Sequence, residues 1–321
     1  MSGKGKSLPP ALKSLLVQPL YPARTSTLRP GIIVPAGRPA GPAPGPPPQG
    51  LLETLRKVKR EAESRGLGWG EWLSIATATM VTLNSPSSLT ILHRFAAGSG
   101  AFQPDPAVVP ALNLQQRVDR ALLMREVGLK CIGFVGIPKV INNLAALRKA
   151  VDEDKELASA LPTAPRRKIV ESDLANVHRA AYSLWDDIYQ PHSEKLLKSL
   201  GHSHPDLPVF ILEGEYGPLF SPPHKFRLSE KEPEWEVGRL RTSLVAISAL
   251  RAQGGVGPQV TSHVWGLMKA EPSVPVGHAN EKGLRWLTSE EGALWVVEAV
   301  NELSQVVEGS EVQQDGRQSK L

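Results

Sequence analysis

Apolar side chains at Leu114, Val118, Ala121, Leu122 and Leu129 recur at the spacing of a helical turn. That ladder, repeated in other registers along the chain, constrains the fold more than any motif does. A half-buried strand would need strict alternation of apolar and polar residues, and no convincing stretch of that kind occurs. "LLETLRKVKREAESRGLG" reads as an amphipathic helix that stops at Gly66 and Gly68. "WGEWLSIATATMVTLNSPSSLTILHRFAAG" reads as two helices broken at Asn84–Pro86, the second with Ser87 and Ser88 as capping residues. "IPKVINNLAALRKAV" restarts a helix at Pro138, where a proline is tolerated in the first turn. Six further helices are expected between Arg166 and Glu308. The expected class is all-α.

The 321 residues carry a formal charge of +5, with the basic excess gathered before Glu53. Beyond that point the charges are mixed, as on a solvated face, so no nucleic-acid stripe is expected. No apolar run has the length of a membrane span. Residues 1–50 divide into a basic, hydroxyl-rich segment free of acid and "PGIIVPAGRPAGPAPGPPPQG", which is expected to be an extended linker. The basic segment has the composition of a mitochondrial presequence, although Pro9, Pro10 and Pro19 interrupt any helix there; a disordered basic tail is the other reading.

Cys131, in "CIGFVGIP", is the single cysteine. It excludes an intrachain disulfide and suits a reducing interior. Flanked by Leu129, Ile132, Phe134 and Val135, it is expected to be a buried small hydrophobe with an inert thiol.

The chain carries a weak internal echo. "EWLSIATATMVTLN" followed by "SSLTILHRFAAG" is matched by "RLRTSLVAISALRA" followed by "GPQVTSHVWGLM", and each second helix holds one histidine, His93 or His263. Together with "MREVGLKCIGFVGIPKVINNLAAL" and "LPVFILEGEYGPLFS", this order of segments resembles the carboxymuconolactone decarboxylase / alkylhydroperoxidase D-like (AhpD-like) superfamily. The likeness extends to fungal members with a peroxisomal tail. It covers roughly Leu51 to Leu303, and it implies an AhpD-like helical bundle of two tandem units, 51–165 and a degenerate 166–305. A flexible tail, 306–321, would follow. The resemblance also implies a homo-oligomer.

The redox branch of that superfamily uses a Cys-x-x-Cys pair three residues before a histidine. Here the matching positions are Ser87 and Thr90 before His93, and Gly257 and Val260 before His263. Dithiol peroxide chemistry is thereby disfavoured. The decarboxylase branch needs a general acid and base, and the resemblance points to His93 with Glu126, and to Glu71 at the start of the Ala-rich helix. Arg125 beside Glu126 would hold an anionic substrate or pair with an acid. In the second unit Thr242 or Ser243 stands where the acid is expected, so chemistry is assigned to the first unit. The implied activity is proton transfer or decarboxylation on a small carboxylic acid or lactone, without metal or cofactor. The alternative is an inactive helical binding module.

"GHSHP" carries His202 and His204 without a carboxylate or thiol ligand set, and Ser203 is expected as an N-cap. Asp186 and Asp187 are adjacent on a helix and diverge. The seven tryptophans and scattered tyrosines are assigned to the core or to interfaces rather than to a cofactor site. The sequence closes on Ser319-Lys320-Leu321, the form of address read by the peroxisomal import receptor. The expected location is the peroxisome matrix, with the mitochondrion as the alternative.

Overall fold

The structure is a computed structural model that describes residues 24–25, 33–34, 47–98, 111–223 and 233–318, with side chains over 47–98, 111–223 and 233–308. It divides into Met1–Gly45 and Pro46–Leu321. In the first unit, Arg24–Thr25 and Ile33–Val34 pair antiparallel, a two-residue ladder that the sequence did not signal. The rest of the segment expected to be disordered lies outside the described residues.

The second unit is all helical among its described residues. Its elements are α1 (Leu51–Ser64), α2 (Trp69–Thr82), α3 (Pro86–Ala97), α4 (Leu114–Lys130), α5 (Ile132–Val135), α6 (Ile137–Asp152), α7 (Lys155–Ala160), α8 (Leu174–Tyr189), α9 (Ser193–Ser203), α10 (Leu207–Val209), α11 (Phe210–Phe220), α12 (Arg239–Gln253), α13 (Gly257–Met268), α14 (Glu281–Leu287) and α15 (Glu290–Gln318).

Two helices form the centre. α2 is buried from Gly70 through Thr82, and α12 is buried at Leu240 and from Thr242 through Leu250. A helix buried on every side cannot have a polar face. The Ala, Ser and Thr content of both sequences meets that need, because small side chains allow α2 and α12 to pack against each other. Their hydroxyls turn inward to their own backbones: Ser74 donates to Gly70 O at 2.6 Å and Thr79 to Ile75 O at 2.8 Å.

α4 packs on α2, α3 on α6, and α15 on α1, α2 and α12. α1 presents Leu51, Leu55, Val58 and Ala62, one stripe of a 3.6-residue repeat. One apolar core therefore runs from Leu51 to Val307, drawing on both expected units. A second, smaller cluster joins α8 to α11 through Ala181, Trp185, Ile188, Leu212, Tyr216 and Phe220.

Several local expectations change. The second helix of the first pair starts one turn earlier than Ser88: Ser85 is the N-cap, Pro86 is the first helical residue, and the Ser85 hydroxyl donates to Ser88 Oγ at 2.7 Å. Ser203 is the last residue of α9, with its hydroxyl on Ser199 O, so it caps no following helix. "FILEGEYGPLF" forms a π-helix rather than an α-helix. This form is rare and widens the backbone by one residue per turn. Gly217 lets it approach α8, since a Cβ there would stand 2.8 Å from the Val177 carbonyl oxygen. α15 continues to Gln318, past the point where a flexible tail was expected. Extending an existing helix costs far less than nucleating one, so a polar run need not end it.

Cys131 is fully buried, and burial pushes its thiol up to about 12. Cys131→Ser should cost ~1 kcal/mol by placing a hydroxyl in an apolar site. Native protein should resist thiol labelling that is complete after denaturation; rapid native labelling would contradict the buried assignment.

Candidate functional site

The residues expected to act together occupy different surroundings. Glu126 is buried on α4 and accepts a hydrogen bond from Arg167, with Lys130 and Arg166 nitrogens each 3.8 Å away. Lys130 is buried completely and donates to the Leu219 and Phe220 carbonyls, closing the end of the π-helix onto α4. Burial lowers its ammonium to about 7 against the opposing pull of Glu126. Arg125 is exposed and donates to Pro162 O at 3.2 Å, so it diverges from Glu126. The arginines that hold Glu126 come from "APRRK", a stretch with no motif to mark it.

Glu71 also has structural partners. Its Oε2 accepts from Gly68 N at 3.0 Å, capping α2, and its Oε1 accepts from Arg241 Nε at 2.9 Å. Arg241 donates in turn to the carbonyls of Glu234 and Glu236, and the Glu236 carboxylate pairs with Arg166 at 2.7 Å. Glu71 and Glu126 are thus the two ends of one polar chain that stitches α2, α4 and α12 together. Gly70 makes room for it: a Cβ there would collide with the Arg241 guanidinium.

Gly68 and Gly238 are the N-caps of α2 and α12, so Glu71 and Arg241 each stand three residues after a glycine cap, one or two residues before the Thr242 or Ser243 named from the sequence. His93 and His263 then follow at the same remove in sequence.

His93 stands apart from both acids. It is buried on α3, its Nδ1 has no hydrogen-bond partner, and burial lowers its pKa to about 4. The charges acting on it are Glu153, Arg94 and Asp154, none of which belongs to the Glu126 cluster.

His263, set aside as the degenerate copy, has the richer chemistry. Tyr189 ends α8, Tyr216 lies on the π-helix and His263 on α13. The Tyr189 hydroxyl lies 2.9 Å from the Tyr216 hydroxyl and 3.2 Å from His263 Nε2. Burial, followed by the Arg239 charge, lowers His263 to about 4. Burial raises Tyr189, and it raises Tyr216 well above the usual phenol range. At neutral pH the group is therefore an uncharged phenol–phenol–imidazole chain. Trp185 packs on Tyr189 at 4.3 Å between ring centroids, and Phe134 meets His263 edge-on. These ring contacts fix the chain in place.

Tyr189 also lines a cleft of about 520 Å³ between α8, α9 and α13. Its walls include Ile188, Leu196 and Trp265, and its charged or titratable lining is Tyr189, His192, Lys195 and Lys269, with no carboxylate. Lys269 pins the turn after α8 by donating to Ile188 O and Gln190 O. A second cavity, beside Arg166 and Arg167, holds only about 40 Å³. Neither cavity is lined by His93, Glu126 or Glu71.

Sequence spacing could not reveal this group, because its members come from three separate helices. The single pointer was the histidine that persists in the second half.

No family model matches the chain, and no solved structure matches it. The chain is similar to Peroxisomal protein 2 of Saccharomyces cerevisiae, with 25% identity over 238 residues that cover 61% of this chain and 80% of that protein. The likeness to the carboxymuconolactone decarboxylase-like superfamily accordingly rests on the order of segments in the sequence.

Proposed function

We propose that this chain is a peroxisomal protein of two tandem helical units that binds a small carbonyl compound in the Tyr189 cleft and donates a proton to its carbonyl oxygen. The observation that carries the reading is Tyr189 itself, a residue of the cleft lining whose hydroxyl is bonded to a neutral imidazole and a second phenol. A carbonyl group collects electrons when a β-keto acid loses carbon dioxide or when a lactone ring rearranges. A neutral phenol held against that oxygen stabilises the developing enolate and supplies its proton. Hydrogen bonds from Tyr216 and His263 steady the resulting phenolate until water in the cleft returns a proton to it. Decarboxylation balances simply: the carbon–carboxylate bond breaks, its electron pair moves to the carbonyl, the oxygen takes the proton, and the enol reverts to the ketone in water.

The tandem reading is supported by the equivalent N-caps, by Glu71 and Arg241 at matching positions and by the matched histidines. His93 and Glu126 lie outside the site in this reading, and unit two carries the chemistry. The similarity to Peroxisomal protein 2 supports the location. Ser319-Lys320-Leu321, outside the described residues, supplies the address for the import receptor.

Carbon dioxide release from a panel of short 3-oxo acids and lactone acids tests the chemistry. Tyr189→Phe should lower turnover by roughly 10²–10⁴-fold, the range of a lost general acid. Undiminished turnover in that variant would remove Tyr189 from the mechanism, and binding without any turnover would leave a helical binding module. Deleting Leu321 should leave a fluorescently tagged protein in the cytosol.

A further inference from the structure

The cleft also has features that select what enters it. Trp265 is 59% exposed, an uncommon position for so large an aromatic surface, and it lines the cleft with Ile188 and Leu196. These three provide an apolar wall. Lys195 lines the same cleft from the first turn of α9, and no ion pair or hydrogen bond engages it among the described residues. The other lysine, Lys269, spends its ammonium on two backbone carbonyls. With no carboxylate in the lining, the charge that the lining itself carries is positive. Its volume falls within the range of sites for small organic ligands.

We infer that the ligand is an amphipathic monocarboxylate, its carboxylate held by Lys195 and its apolar body lying against Trp265, Leu196 and Ile188. This inference rests on the Tyr189 cleft being the working site, and it sets the substrate class there. A carboxylate anchored at Lys195 leaves the hydrocarbon part to carry any reactive carbonyl toward Tyr189. Neutral alcohols and amines of the same length lose the charge contact, and the amines meet Lys195 with like charge.

Calorimetric titration of the full chain with octanoate, octanol and octylamine tests it. Octanoate should bind at least ~5-fold more tightly than octanol, the scale of one charge-assisted contact. Lys195→Gln should remove that preference while leaving octanol binding as it was. Octanoate should also shift the tryptophan emission of the wild-type chain, but not that of Trp265→Phe. Equal affinity for octanoate and octanol, or an unchanged preference in Lys195→Gln, would overturn the inference. Octanoate binding without turnover of any oxo acid leaves it standing and removes the proton-donor reading. Turnover of oxo acids with no preference for carboxylates does the reverse.

Discussion

Between pH 7.5 and pH 4.5 the protein should lose ~2.5 kcal/mol of stability for each of His93 and His263. Both imidazoles are buried and both are lowered from 6.5 to about 4, in each case chiefly by burial. Above pH 6.5 they are neutral in the folded and unfolded chains alike, and they contribute no pH dependence. Below 6.5 the unfolded chain takes up protons that the folded one refuses, so stability falls with pH until the folded imidazoles titrate near 4. Lys130 enters only the upper edge of this window. With a folded value of about 7 it adds a loss of under ~1 kcal/mol as pH falls from 7.5 through 7, and a further rise in stability from pH 7 toward 10.5; well below pH 7 it is charged in both states.

Urea titrations across pH 6.5 to 5 read the effect below the Lys130 transition and before most carboxylates protonate. His93→Gln and His263→Gln should each halve the slope of stability against pH, whatever they do to its absolute value. A slope untouched by both changes would mean that the imidazoles are hydrated in the native protein.

Arg241→Ala should destabilise the fold by about 3–5 kcal/mol, because it leaves the buried Glu71 side chain without its guanidinium partner. The same change strips donors from the Glu234 and Glu236 carbonyls. For a domain of this size the melting temperature should fall by roughly 10 °C. Adding Glu71→Gln should recover a large part of the loss, since a neutral amide has little charge to leave unpaired.

Glu71 and Arg241 occupy the same helical position after equivalent N-caps, so the exchanged pair offers a stricter test. In Glu71→Arg with Arg241→Glu, the new acid stands three residues beyond Gly238 and can cap α12 as Glu71 caps α2. The exchanged protein should be more stable than either single variant. If it is no better than the worse of the two, the two helix starts are not equivalent and the tandem reading weakens.

The helices were legible because their causes are local. The 3.6-residue ladders of α1 and α4, the break at Asn84–Pro86 and the Ala-rich composition of α2 and α12 depend only on neighbours in sequence. The inert thiol of Cys131 was legible for the same reason, since its apolar flanks already predicted burial. The π-helix was not legible: its residues carry an ordinary helical composition, and its widened turns accompany close packing on α8 and the Lys130 contacts at its end.

The candidate site divides along the same line. Sequence alone singled out His93, Glu71, Glu126 and His263 as side chains of chemical interest. Only tertiary contact decided that Glu71 and Glu126 are bound into one polar chain by Arg241, Arg166 and Arg167, and that His93 is enclosed without an acid partner. It alone brought Tyr189 and Tyr216 to His263, across separations in sequence that no periodicity spans. The reason is physical. A helix follows from the residues within a turn of each other, whereas the reactivity of a buried group follows from whatever the packing places beside it.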